Sequence, residues 1–140
     1  MVEYHADQGK KPFVMDIEKE TLANENFRKT EWTGDHLQLK LMSIPVGGDI
    51  GLEVHHGLDQ FLRIEQGKGR CQMGEKEDEL TFDEEVSDDW VILVPGGYYH
   101  NVTNIGDEPL KLYSIYAPAD HKPGVIHATQ EDAESDPNED

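Results

Sequence analysis

The 140 residues carry 30 Asp and Glu against 12 Lys and Arg, a formal net charge of −18, and such a surface repels nucleic acid and anionic membranes alike. The length suits one domain with a core of its own, and the lone cysteine, Cys71, excludes an intrachain disulfide. The first residues lack the basic-then-apolar pattern of a secretion signal and no apolar run approaches about 18 residues, so a cytoplasmic protein without membrane spans is expected.

Residues 1–12 are polar, with Gly9, two lysines and Pro12, and residues 1–15 read as a flexible N-terminal arm. Asp16 is a suitable N-cap for a short helix or turn over Asp16 to Asn26. Phe27 to Thr33 reads as a first strand, closed by the turn pair Gly34-Asp35. The period then becomes two. Leu37, Leu39 and Leu41 share one face, and Gln38, Lys40 and Met42 share the other. After Pro45 to Gly48 a second alternation sets Ile50, Leu52 and Val54 against Gly51, Glu53 and His55.

FLRIEQ continues to Gly67-Lys68-Gly69, and RCQM follows. Glu75 to Glu79 is an acidic loop, LTFDEEV is weakly strand-like, and Trp90 to Val94 is a short strand ended by Pro95-Gly96-Gly97. The turn from Ile105 to Pro109 precedes LKLYSIYA, a strand rich in β-formers. Repeated short strands with almost no helical pattern predict an all-β antiparallel sandwich or barrel over residues 16–127. Residues 128–140 are acidic and nearly free of large apolar side chains, which predicts a disordered tail.

Two stretches carry the chemistry. Residues two apart on a strand point the same way, so Glu53 and His55 converge on one face. A buried carboxylate needs a cation or hydrogen-bond donors beside it. Gln60 on the next strand and His100, after the Pro95 to Gly97 reversal, supply a third and a fourth donor. A strand histidine taken alone is more often a surface or hydrogen-bonded core residue; the combination is what points to a metal. Mixed nitrogen and oxygen donors without thiolates suit a divalent transition metal such as Zn, Mn, Fe or Ni. Asn104 is a turn residue able to fix the loop.

These stretches resemble the two motifs of the cupin superfamily. Gly47, Glu53, His55, Gln60 and Gly67 match the spacing of Gly-x5-His-x-His-x(3,4)-Glu-x6-Gly, with Glu53 in the first histidine slot and Gln60 in the glutamate slot. Pro95, Gly97, His100 and Asn104 match Gly-x5-Pro-x-Gly-x2-His-x3-Asn, whose leading glycine is replaced by Asp89. The resemblance implies a cupin double-stranded β-helix, or jelly-roll barrel, with a homodimer as the assembly. It also implies that Glu53, His55, Gln60 and His100 form the metal set.

Other residues carry weaker expectations. Tyr98, Tyr99 and Lys40 are the candidates for a catalytic role, and Lys40, Arg63 and Tyr113 lie on strands that could face the lumen. An apolar face of Ile50, Leu52, Val54 and His56 fits packing against a second subunit. His36 suits a solvated strand end, Asp59 a turn, and Cys71 a quiet structural thiol. His5, His121 and His127 fall in poorly patterned ends and receive no role. The resemblance implies a small metal-binding protein acting on a small polar molecule, a sugar or sugar phosphate in an isomerase-like reaction. The alternatives are a non-enzymatic ligand-binding or sensing module and a dioxygenase of the same fold.

Overall fold

In the computed structural model, which describes residues 2–4, 7–118 and 123–136, the alternating segments form two antiparallel sheets. The strands are β1 (Val2–Tyr4), β2 (Arg28–Thr33), β3 (Gln38–Ile44), β4 (Glu53–Val54), β5 (Asp59–Gln66), β6 (Lys68–Gly74), β7 (Phe82–Ser87), β8 (Val91–Val94), β9 (Tyr99–Asn104), β10 (Leu110–Ala117) and β11 (Val125–His127). Two short helices, α1 (Ile17–Ala23) and α2 (Gln130–Ser135), complete the described elements. One sheet runs β1-β11-β2-β3-β10-β5-β8 and the other β4-β9-β6-β7. Between β3 and β10 the chain changes sheet at every connection except β6–β7, which is the winding of the expected double-stranded β-helix.

The corners depend on backbone that few residues tolerate. Gly67 turns the chain from β5 into β6 with φ +100, and a Cβ there would lie 3.2 Å from the Leu110 Cα. Asp89, in place of the second motif's leading glycine, keeps a glycine-like φ of +72. Aspartate is among the few side chains that adopt this region at modest cost. Its N–H donates to the Ile64 carbonyl, and its carboxylate accepts from Arg63 at 3.0 Å.

Cross-strand partners share a face, so the pairing registers sort the larger sheet into rows. Ile44–Leu110 and Met42–Leu112–Ile64 are apolar inward rows, followed by Lys40–Ser114–Leu62–Ile92 and then Gln38–Tyr116–Gln60–Val94. The lumen therefore grades from an apolar end to a polar one. Cys71, Val86 and Val102 of the second sheet close the apolar end. Each fully buried aliphatic side chain there contributes roughly 1.5–3 kcal/mol. Burial pushes the Cys71 thiol up to about 11, consistent with the expected quiet thiol.

Asn104 anchors this end. Its side-chain amide donates to the carbonyls of Ile44 at 3.0 Å and Glu108 at 2.9 Å, and its oxygen accepts from the Gly106 N–H. The helix expected after Asp16 is present as α1, and Asp16 caps it by accepting from the Lys19 N–H.

Both chain ends differ from expectation. The arm is held rather than mobile: β1 pairs with β11, and the Asp7 carboxylate accepts from Thr33 N–H, Thr33 Oγ1, Gly9 N–H and Gly124 N–H. The supposed tail forms α2, capped by Thr129, and buries Ala133 in the core cluster. One apolar residue and a cap suffice because the helix rests on an existing core. His127, given no role from the sequence, is fully buried and pairs with Asp136 at 3.0 Å. His5, His121 and residues 137–140 lie outside the described residues.

The second alternation also breaks. Gly51 has φ +86, so Ile50 enters the core while Leu52 stays exposed, and the two do not form one face with Val54. His56 is exposed, as is His36.

Asn104→Ala removes three hydrogen bonds from a buried site and is expected to lower unfolding stability by about 2–3 kcal/mol, measured as the shift in urea midpoint at constant m-value. Burial holds His127 below the usual imidazole value, against the opposing pull of Asp136. The unfolded chain thus takes up a proton at higher pH than the folded one. The stabilisation is complete above about pH 6.5 and is lost as pH falls from there toward the folded value. His100 is lowered through the same cause and acts with the same sign. Urea midpoints should therefore fall below about pH 6.5, and His127→Gln should make that fall shallower without abolishing it.

Candidate metal centre

Glu53 and His100 face one another as direct cross-strand partners on β4 and β9. His55 follows two residues after Glu53, and its carbonyl accepts from the Gly97 N–H at 2.8 Å. That bond ties the Pro-Gly-Gly reversal of the second motif to the first. Asp59 adds a second tie by accepting from the Gly96 N–H. Two hairpins distant in sequence thus share one frame.

The three side chains meet. His55 Nε2 lies 3.8 Å from one Glu53 oxygen, and His100 Nε2 lies 3.9 Å from the other. One donor atom from each of the three falls within 4.8 Å of the others, a grouping that could hold a metal ion. Distances of 3.8–3.9 Å are too long for hydrogen bonds. They remain below the sum of two metal–ligand bonds of about 2.1 Å each.

The state of His100 suits ligation. Its Nδ1 lies 3.4 Å from the Tyr98 carbonyl, a contact that favours the proton on Nδ1 and a lone pair on Nε2. That Nε2 is buried and has no hydrogen-bond partner. Burial holds the imidazole below its usual value despite the nearby Glu53 carboxylate, so the ring is neutral, as a metal ligand must be.

Gln60 is buried on β5. Its amide nitrogen donates to Ser114 Oγ at 2.9 Å, and its amide oxygen has no hydrogen-bond partner. Across the row stands Tyr116, whose ring packs edge-on against His55 with centroids 5.3 Å apart. Lys40, fully buried, donates to the Tyr116 hydroxyl at 2.6 Å.

The other candidates divide by strand parity. Lys40 faces the lumen. Arg63 and Tyr113 are paired on the opposite face, where Arg63 binds Glu65 and Asp89 and Tyr113 stacks on Phe61. Tyr98 is half-buried against the core, and Tyr99 alternates with His100 on β9 and so points out of the lumen. Tyr116 is the phenol that joins the site. Its parity with Leu112 and Ser114 was the available signal. Arg28 was also missed; it is 4% exposed, and its Nη lies 3.5 Å from Glu53 Oε2. Beside Arg28 and Glu53 opens a cavity of about 430 Å³, bounded across by Gln130 and Asp136 of the α2 region.

Comparison with known proteins agrees with this architecture. Residues 40–116 match the Cupin_2 family model, described as a cupin domain. The chain is similar to the Bacillus subtilis (strain 168) protein YrkC, 54% identical over 127 residues, which cover 91% of this chain and 68% of YrkC. It is similar to protein L612 of Acanthamoeba polyphaga mimivirus, 37% identical over 115 residues, covering 81% of this chain and 70% of L612. Among solved structures, BH2720 from Bacillus halodurans superposes with a TM-score of 0.93 at 57% identity, over 94% of this chain and all of that one. No helix among the described residues is long and apolar enough to cross a membrane. With the two-sheet winding, the paired hairpins and these likenesses in place, the chain belongs to the cupin family.

Proposed function

We propose that this cupin binds a divalent transition metal through Glu53, His55 and His100, with the Gln60 amide oxygen as fourth protein ligand, and acts on a small polar molecule. The observation that carries the proposal is the buried, partnerless Nε2 of His100 aimed into a cluster whose spacing fits a cation. The orphaned Gln60 oxygen supports the fourth place. Zn, Mn, Fe and Ni all suit two imidazoles with two oxygens.

A bound metal would supply a Lewis acid that polarises a carbonyl or hydroxyl oxygen. The chain's own residues supply the rest. Tyr116 accepts from Lys40 and can pass its own proton to an oxygen held in the lumen. Lys40 keeps that phenol in one orientation, and the apolar rows below exclude water. A sugar or sugar phosphate undergoing an isomerase-like proton shift fits this equipment.

A non-enzymatic binding module is the second reading, favoured by the Arg28 contact with Glu53. An arginine counter-charge on a ligand carboxylate competes with the metal for it.

Near-stoichiometric metal is expected in purified protein reconstituted with Zn or Mn, measured by inductively coupled plasma mass spectrometry. Glu53→Ala and His100→Ala should each lower metal affinity by at least about tenfold, while Gln60→Glu, which adds a negative charge, should tighten it. A folded wild-type protein that retains no metal would leave the binding module standing in its place.

We also propose a homodimer formed through the outer face of the larger sheet. Phe13, Val14, Trp32, Leu37, Leu39 and Ile115 line an apolar groove there. On the same sheet, β8 ends the strand order with Leu93 63% exposed. Light scattering after size exclusion should give twice the chain mass, and Leu37→Glu with Leu39→Glu should give the monomer; a monomeric wild type refutes the dimer.

A further inference from the structure

The buried guanidinium of Arg28 has more donors than the protein satisfies. Arginine presents five N–H groups. Here one Nη reaches Glu53 Oε2 at 3.5 Å, longer than the 2.7–2.9 Å of a charge-assisted bond. Its Nε is buried without a hydrogen-bond partner, and its carbon sits 5.4 Å from the centroid of the Phe27 ring. A side chain only 4% exposed cannot turn to bulk water for the missing acceptors. A buried charge left so incompletely paired is costly, and such groups ordinarily have a partner.

The missing acceptor has room. Arg28 borders the cavity of about 430 Å³ that also touches Glu53, so a molecule seated there meets the guanidinium and the metal cluster together. Ile50 and Leu52 give that cavity an apolar wall. Among the described residues the carboxylate paired with Arg28 is that of Glu53; those on the far wall are engaged elsewhere or exposed. Asp136 is already paired with His127 at 3.0 Å, and Glu134 is exposed at the rim.

We propose that Arg28 anchors an anionic group, a carboxylate or a phosphate, on the small molecule that this barrel holds. The ligand then spans from the guanidinium to the Glu53, His55 and His100 cluster, with its polar reacting end at the cluster. This deepens the metal-dependent reading above and rests on it for the position of the second end, although the arginine contact does not itself need the metal. A planar guanidinium reads such groups through paired N–H donors, which a lysine at the same place could not reproduce.

The test uses acetate and inorganic phosphate as probes, each titrated into ¹⁵N-labelled full-length protein with chloride at matched ionic strength as control. The Arg28 Nε–H resonance, assigned by its loss in Arg28→Lys, is the readout. Acetate or phosphate should shift it saturably while chloride does not, and the tighter of the two identifies the group. Glu134→Lys, an exposed change at the rim, should tighten that binding several-fold. If Arg28→Lys does not fold, assignment by triple resonance and the Glu134→Lys comparison stand alone.

No saturable shift with either anion, or the same affinity in wild type and Glu134→Lys, overturns the proposal. Metal content is measured on the same samples. Protein that loads metal but ignores both anions refutes the anchor alone, and protein that binds anions at Arg28 without retaining metal refutes the metal centre alone.

Discussion

Charge buried between two sheets is the constraint on which this molecule depends. Arg28, Lys40 and Glu53 sit with two imidazoles inside a β-sandwich, where each ion loses several kcal/mol of hydration that only close partners restore. The arrangement answers this by local pairing. Lys40 has the Tyr116 oxygen, Asp136 has His127, and Glu53 lies within reach of Arg28 and both ring nitrogens. Among the buried groups without a hydrogen-bond partner, His100 Nε2, Gln60 Oε1 and Arg28 Nε lie toward the polar end of the lumen. The proposed metal and anion would complete them.

The polar end is tolerable because the other end is not polar. Ile44, Leu110, Met42, Leu112 and Ile64 form unbroken apolar rows across three strands, and Asn104 fastens the loops beneath them. The Gly97–His55 backbone bond then sets the two ligand-bearing hairpins against one another. The helix α2 extends this support, since it closes the flank beside Arg28 and Glu53 while burying Ala133 in the core.

Most of the barrel was legible in the sequence because strand alternation and turn residues are local signals. Leu110–Ala117 is the strand read from its β-formers, and the Asp16 cap opens the helix where expected. Glu53, His55 and His100 were legible through spacing, and the structure brings them together. What escaped depended on tertiary context. Parity alone does not say which face is inside, so Tyr113 was weighed where Tyr116 stands. Arg28 looked like an ordinary basic residue because only a partner 25 positions away gives it meaning. The α2 segment is too acidic to fold by itself, yet it folds against a ready surface. Gly51 ended an alternation that its neighbours seemed to continue, because a positive φ leaves no trace in hydropathy.

Asp89 carries a wider consequence. It holds φ +72 at a position where the family motif writes glycine, and the strand crossing it serves is intact. The motif is thus a record of torsion angles as much as of letters, and an aspartate satisfies the angle while adding a carboxylate that grips Arg63 on a neighbouring strand. The exchange adds a surface ion pair to the corner. A pattern search that insists on the letter would pass over such a chain, whereas a search for the turn would find it.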